Sequence, residues 1–365
     1  MAHNTVTKNT EQRDSARRIL VVSLDNVGDL VFATSLLRPL RERFPQAHIA
    51  LWCKEYTAGL AQLMPEIDQV FVSDPFWDRS PGREKGSPMK FFAALRDVRR
   101  ERFDTAILSH GPSRTAAAIV AAGIPLRIGL ERGHNARWLT RALPQADRSK
   151  SVLIEMSRLL AELGIASAEP RYRLDVSAFQ NEKEAICRTL GGVPHVALHP
   201  FASKTDRCVA LDVWAAVADA LEGGGYAPLW IGSTVELDRV RSEAASGDSA
   251  DWRTPGREGG GQTPSERKRH RGNWVYADKL TGGSLLKVAL AISETTLFIG
   301  HDSGPLHIAA ALGVPTLGIF APGEPSRTFP QGPGEWRMIA RRSPSEITAD
   351  DIVTETIRLA VQAGQ

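Results

Sequence analysis

The sequence predicts an α/β protein built as two doubly wound halves. Three observations carry this. Short apolar runs of buried-strand type alternate with segments of helical period from residue 18 onward. The alternation breaks off and restarts near residue 195. At 365 residues the chain is also long enough for two domains, each with its own core.

The elements follow in order. Arg18-Ile19-Leu20-Val21-Val22-Ser23 is a short apolar run of the kind that parallel strands, buried on both faces, require. A turn from Leu24 to Asp29 leads into a helix predicted from Leu30 to Phe44, stopped by Pro45. His48 to Cys53 reads as a strand, Glu55 to Met64 as a helix and Val70 to Val72 as a strand. Met89 to Arg102 is a basic amphipathic helix, followed by the strand Thr105 to Ser109, the helix Arg114 to Ala122 and the strand Leu126 to Leu130. Residues 75–88 and 131–149 are loop-like and, lying near strand ends of the first half, are candidate acceptor-binding loops. Residues 170–194 join the halves.

The second half opens with the strand Val196 to His199. The helix Leu211 to Leu221, the strand Ala227 to Gly232 and the helix Val235 to Ala245 come next. Residues 247–272 are rich in Gly, Ser, Pro, Arg and Lys. A nucleic-acid arm and a solvated mobile loop both fit them, and composition favours the loop. The helix Ser284 to Ser293, the strand Leu297 to Gly300, a further helix and the strand Thr316 to Phe320 complete the pattern, with a terminal helix over Ile347 to Val361. The expected domains are 18–180 and 181–345, with a disordered tail over 1–17 and a C-terminal helix within 346–365. Ligands in such sheets bind outside the carboxyl ends of the strands, here in a cleft between the halves.

Composition narrows the function. Hydrophobic residues at 42% and charged residues at 24% are those of a soluble globular protein. A formal net charge of +3 gives no global drive towards nucleic acid. It suits an anionic small substrate or a weak, peripheral encounter with an anionic membrane surface. Cys53, Cys187 and Cys208 form no CxxC pair, so they read as reduced and structural, with no zinc site and a cytoplasmic location. The first 16 residues have no apolar core and are not a secretory signal. No apolar run approaches membrane-spanning length.

The most informative stretch runs from Phe298 to Phe320: strand, polar turn, helix, strand. Asp302 and Ser303 are N-cap types, and Gly304-Pro305 suits a first helical turn. Backbone N–H groups and the positive end of the helix dipole converge there on a generic phosphate site. Ser303 and His307 can add side-chain hydrogen bonds on the same side.

Other polar strand ends fall into place around it. Asp25-Asn26-Val27-Gly28-Asp29 follows the first strand, where Asp29 can cap the helix or serve as a general base. His199 to Arg207 follows the first strand of the second half and supplies hydroxyls and two cations, Lys204 and Arg207, fit for a diphosphate. Glu236, after Gly232-Ser233-Thr234, can accept from ribose hydroxyls or simply favour a helix start. No His or carboxylate pair has metal-ligand spacing, so no metal is expected.

These pieces in this order resemble glycosyltransferase family 9, whose best-known members are the ADP-heptose:lipopolysaccharide heptosyltransferases. The resemblance covers most of residues 18–340. Asp302-Ser303-Gly304-Pro305-Leu306-His307, with its Ala-Ala-Ala-Leu-Gly-Val-Pro sequel, is similar to the family signature D-[ST]-G-x-x-H-x-x-A-A-L-G-x-P. Phe320 to Pro325 is similar to the F-G-P-T-x-P that follows it.

The resemblance implies a GT-B fold, two Rossmann-like domains facing each other across a cleft. It also implies a metal-independent, inverting sugar transfer from a nucleotide donor, with no further cofactor. Asp29 matches the family's catalytic base, a role that does not exclude capping. Asp302, Ser303, Gly304, Pro305 and His307 match donor-diphosphate positions, and Glu236 a ribose or base contact. Where the family has Lys-Arg-Trp-Pro, this chain has Arg207-Cys208-Val209-Ala210. Arg207 takes the Lys position, with Lys204 three residues earlier, and either can meet the diphosphate.

Asn26 and Gly28, together with Arg96 and Arg100 of the basic helix, are expected on the acceptor side. The acceptor is expected to be a glycolipid of the lipopolysaccharide-core type, reached at the inner membrane surface. An epimerase of similar fold and a non-catalytic nucleotide-sugar-binding homologue remain open as alternatives.

Overall fold

Arg18–Ser23 forms β1 because four consecutive apolar side chains, Ile19 to Val22, can all be buried only if both faces of the sheet are covered. The computed structural model describes residues 17–78, 85–147, 149–166, 171–202, 204–246, 274–323 and 325–364. The tail expected over 1–17, apart from Arg17, and the loop expected over 247–272 lie outside them. The chain divides into two compact units, Met1–Asp175 and Val176–Gln365.

The first unit runs β1, α1 (Val27–Ala33), α2 (Leu37–Arg43), β2 (His48–Cys53), β3 (Gln69–Val72), α3 (Pro88–Arg100), β4 (Thr105–Leu108), α4 (Ser113–Ala121), β5 (Leu126–Leu130), β6 (Arg141–Leu143) and α5 (Val152–Ala161). Its six strands form one parallel sheet in the order β3-β2-β1-β4-β5-β6. Leu20, Val22, Trp52, Phe71, Phe91, Val98 and Leu108 pack together in one layer of its core.

The second unit runs α6 (Gln180–Leu190), β7 (His195–His199), α7 (Leu211–Gly223), β8 (Ala227–Trp230), α8 (Thr234–Ser246), β9 (Val275–Tyr276), α9 (Ala277–Thr281) and α10 (Leu285–Ser293). It continues through β10 (Leu297–His301), α11 (Gly304–Ala311), β11 (Thr316–Phe320), α12 (Pro325–Thr328), β12 (Trp336–Ala340) and α13 (Ala349–Ala363). Its sheet is again parallel, ordered β12-β11-β10-β7-β8-β9. Val196, Leu198, Trp214, Trp230, Ile299 and Leu317 belong to its core.

The strand order reverses once in each sheet, between β1 and β4 and between β7 and β10. At such a switch point the connections leave on opposite faces and open a crevice at the strands' carboxyl ends. Polar residues that directly follow β1, β4, β7 and β10 are therefore the ones the fold presents.

Several elements differ from the sequence expectation for physical reasons. The helix predicted from Leu30 to Phe44 starts earlier, at Val27, and tightens into a 3-10 turn over Thr34–Leu36 before resuming. Pro39 has no N–H to give the carbonyl four residues back. Thr34 and Ser35 hydroxyls bond Val31 and Phe32 carbonyls at 2.7 and 2.6 Å. The helix predicted from Glu55 is a 3-10 segment, Glu55–Leu63. The loop expected over 131–149 contains β6, and the connection expected over 170–194 contains α6.

Candidate functional site

At the first switch point the chain leaves β1 through Leu24-Asp25-Asn26 and enters α1. Asn26, not Asp29, holds the N-cap position, with no side-chain cap bond; its Oδ1 instead accepts from the Tyr56 hydroxyl at 3.3 Å. Asp29 is the third helical residue, half-buried, where a carboxylate meets the positive end of the helix. Two residues past β4, His110 Nε2 lies 3.3 Å from Asp25 Oδ2 and also meets the Arg132 guanidinium.

Arg132 follows β5, and Asn135 holds it in place. This side chain is fully buried, accepting from Arg132 N–H at 2.7 Å and donating to Leu130 O at 2.9 Å and Gly111 O at 3.2 Å. The buried Lys54 at the end of β2 pairs with Asp78, and Lys90 pairs with Glu55 at 3.2 Å. At this edge Lys54 and Lys90 are matched by carboxylates, and Asp25 faces the His110 that Arg132 meets.

The second switch point is built differently. β7 ends in His199 and β10 in His301, and Gly300 lies opposite His199 in the parallel register. A Cβ on Gly300 would come within 2.8 Å of the Phe298 ring and 3.2 Å of His199 Cβ, so only glycine lets the two strand ends close up. His199 Nδ1 bonds Ile231 O at 2.9 Å, and burial lowers its pKa. His301 is 1% exposed; burial, with His199 beside it, pushes its pKa down to about 3. Both imidazoles are neutral at ordinary pH.

Beyond His301 the turn carries Asp302 and Ser303. Ser303 occupies the N-cap position of α11 with extended backbone, φ −156° and ψ 170°, but its hydroxyl donates to His301 O at 3.0 Å rather than capping. Gly304 and Pro305 form the first helical residues. Asp302 spans two neighbours: Oδ1 lies 3.4 Å from the buried His307 Nε2, and Oδ2 accepts from the Thr328 hydroxyl at 3.2 Å.

Lys204 and Arg207 bracket a 3-10 turn, Thr205–Arg207, between β7 and α7. Neither side chain has an ion-pair partner among the described residues. Glu236 sits in the first turn of α8 and closes on Ser233, Oε2 accepting from its N–H and its hydroxyl at 2.8 Å each. That reciprocal arrangement is the helix-start role the sequence left open.

A family model described as glycosyltransferase family 9 (heptosyltransferase) matches residues 91–250 and 279–346, more than half of the chain. The chain belongs to glycosyltransferase family 9. Similar relatives include lipopolysaccharide core heptosyltransferase OpsX of Haemophilus influenzae, 23% identical over 87% of this chain and 82% of that one. Lipopolysaccharide heptosyltransferase 2 of Escherichia coli is 24% identical over 86% and 85%.

Among solved structures, E. coli ADP-heptose lps heptosyltransferase II matches with a TM-score of 0.77 at 20% identity, over 95% of this chain and 100% of that one. A family 9 glycosyl transferase from Veillonella parvula matches with 0.74 at 18%, over 95% and 97%. The fold of this glycosyltransferase is GT-B.

The family 9 chain brings most of its sequence-predicted residues to the two switch points. Asn26, Gly28 and Asp29 stand at the first; Lys204, Arg207, Asp302, Ser303, Gly304, Pro305 and His307 stand at the second, with Glu236 after β8. Arg96 and Arg100 do not join them. α3 starts at the carboxyl edge, where Lys90 meets Glu55, and runs back across the sheet. Glu101, just past its end, accepts at its carbonyl from Arg18 Nε at 2.6 Å, at the first residue of β1.

Ten residues of helix separate Lys90 from Arg100, about 15 Å. Arg96 and Arg100, expected on the acceptor side, lie further along α3 than Lys90, each 3.3 Å from Asp97.

Sequence reasoning missed Lys54 and His110, and named no residue within the 131–149 loop that carries Arg132 and Asn135. Each lies past a strand end, but only the sheet order sets the ends of β2 and β4 beside β1, with β5 next to β4. Among the described residues no group of three His, Cys, Asp or Glu could hold a metal ion, and no helix is long and apolar enough to cross a membrane.

Proposed function

We propose that this glycosyltransferase moves a heptose from an ADP-linked donor to a hydroxyl of a lipopolysaccharide-core acceptor, with inversion and without a metal. The observation that carries the reading is the β10–α11 turn. It sets Asp302-Ser303-Gly304-Pro305 and His307 at the switch point of the second sheet, beside a loop bearing Lys204 and Arg207. The heptosyltransferase names of the relatives support the sugar and the acceptor class.

In this reading the start of α11 receives the diphosphate through backbone N–H groups. Lys204 and Arg207 neutralise the charge that grows on it as the glycosidic bond breaks. Glu236 Oε1, the oxygen Ser233 does not engage, accepts from the ribose. In the first unit Asp29 takes the proton of the acceptor hydroxyl as that oxygen attacks the anomeric carbon. The new bond forms on the face opposite the departing diphosphate, so one displacement inverts the centre.

The polar edge formed by Asn26, Tyr56, His110 and Arg132 meets the acceptor's hydroxyls. The cytoplasm is the compartment of choice, since Cys53, Cys187 and Cys208 are all free. The lipid acceptor then brings the enzyme to the inner membrane surface.

A calorimetric screen of ADP-, UDP-, GDP- and CDP-sugars, followed by transfer to a heptose-deficient core acceptor, tests the reading. ADP-heptose is expected to bind and to yield a product of inverted anomeric configuration. Binding of a different nucleotide sugar, or a retained configuration, would overturn it.

A further inference from the structure

His301 has a task that the signature around it does not describe. Its Nε2 accepts a hydrogen bond from the backbone N–H of Val209 at 3.1 Å, and both residues are almost fully buried. Val209 lies between the 3-10 turn that carries Lys204 and Arg207 and the start of α7. A backbone N–H can only donate, so Nε2 must be bare and the ring must be the neutral Nδ1–H tautomer. Burial favours the neutral ring, lowering its pKa to about 3.

The ring is also fixed from the side. Trp214 of α7 packs edge-on against it, with centroids 5.5 Å apart and planes at 68°. Its own carbonyl accepts the Ser303 hydroxyl. One residue thus grips the cationic loop with its side chain and the α11 turn with its backbone.

We propose that His301 is the positioning residue of the donor site, clasping the Lys204–Arg207 loop to the strand end from which the Asp302–Gly304 turn springs. The inference rests on the reading of that end as the diphosphate site. Without the clasp, Val209 N–H is left buried without an acceptor, a costly state that the loop escapes by moving out to water. The cations then leave with it, and the loss falls on the diphosphate rather than on the nucleoside.

The test is calorimetric titration of ADP and of adenosine into the full chain and three variants. His301→Phe keeps a ring but removes the acceptor. It should weaken ADP about tenfold, about 1.4 kcal/mol, while adenosine changes less than about twofold. His301→Gln can present Oε1 to Val209 and should recover ADP affinity to within about threefold of wild type. His301→Asn is polar but too short to reach, and should behave like Phe.

Should the Phe variant fail to fold, the Gln and Asn pair carries the same comparison. Equal ADP affinity in wild type and Asn or Phe overturns the clasp, as does parallel loss of ADP and adenosine. Wild-type protein that binds no ADP overturns the donor-site reading itself, and the clasp's purpose with it.

Discussion

The two switch points share a topology and differ in how their charges are spent. At the β1/β4 point Asp25 meets His110 and His110 meets Arg132, while Lys54 pairs with Asp78 and Lys90 with Glu55. At the β7/β10 point the buried His199 and His301 are neutral imidazoles, while Lys204 and Arg207 have no side-chain ion pair among the described residues. A surface of matched charges suits a neutral, hydroxyl-rich ligand, because no uncompensated charge must be desolvated. A surface with positive charge left over suits an anion. In the proposed reading the same fold, used twice, separates acceptor chemistry from donor binding.

Four changes sharpen or break that comparison. The largest effect is expected at the first point. Asp29→Asn should lower turnover by about 10²–10⁴-fold, the usual worth of a positioned general base, as followed by initial rates of product formation. Wild-type turnover would remove Asp29 from the chemistry.

Gly300→Ala attacks the second point through packing. The added methyl meets the Phe298 ring, and overpacking of this kind costs about 1–3 kcal/mol in urea unfolding. A stability unchanged from wild type would show that the strand ends can spread.

The third change concerns acid. His301 has an ordinary pKa of 6.5 and about 3 when folded, so below 6.5 the unfolded chain takes a proton that the folded one refuses. Stability should therefore fall as pH drops from about 6.5 towards 3, by at most about 1.4 kcal/mol per unit, with no contribution above that window. Unfolding of His301→Gln as a function of pH should be flatter there than wild type by that amount. Equal slopes would mean the ring is protonated in place.

The smallest effect belongs to Arg96→Gln and Arg100→Gln. Each already faces Asp97, so both should leave the acceptor KM within about twofold of wild type. A rise of tenfold would place them in acceptor binding.

Much of the fold was legible because parallel strands covered on both faces must be apolar without interruption. Ile19 to Val22 and Val196 to Leu198 announce themselves in that way. The strands that escaped notice are edge strands, β6, β9 and β12, short or half-exposed, where burial demands less of the sequence. The start of α1 was hidden because Val27-Gly28-Asp29 has no apolar period.

Within the candidate site, Asp29 and the Asp302–His307 turn were legible because each is contiguous. His110, Arg132 and Asn135 were not, since their meaning comes from which strand ends become neighbours. The His301–Val209 bond joins groups 92 residues apart, and nothing in either segment signals the other.

The division of labour between the two points is tested most directly by titrating ADP into three proteins: wild type, Asp29→Asn, and a variant with both Lys204 and Arg207 changed to Ala. The account predicts that Asp29→Asn binds ADP within about twofold of wild type, while the double variant binds at least about tenfold more weakly, having lost two charge-assisted contacts. Wild-type affinity in the double variant, or a comparable loss in Asp29→Asn, would contradict it.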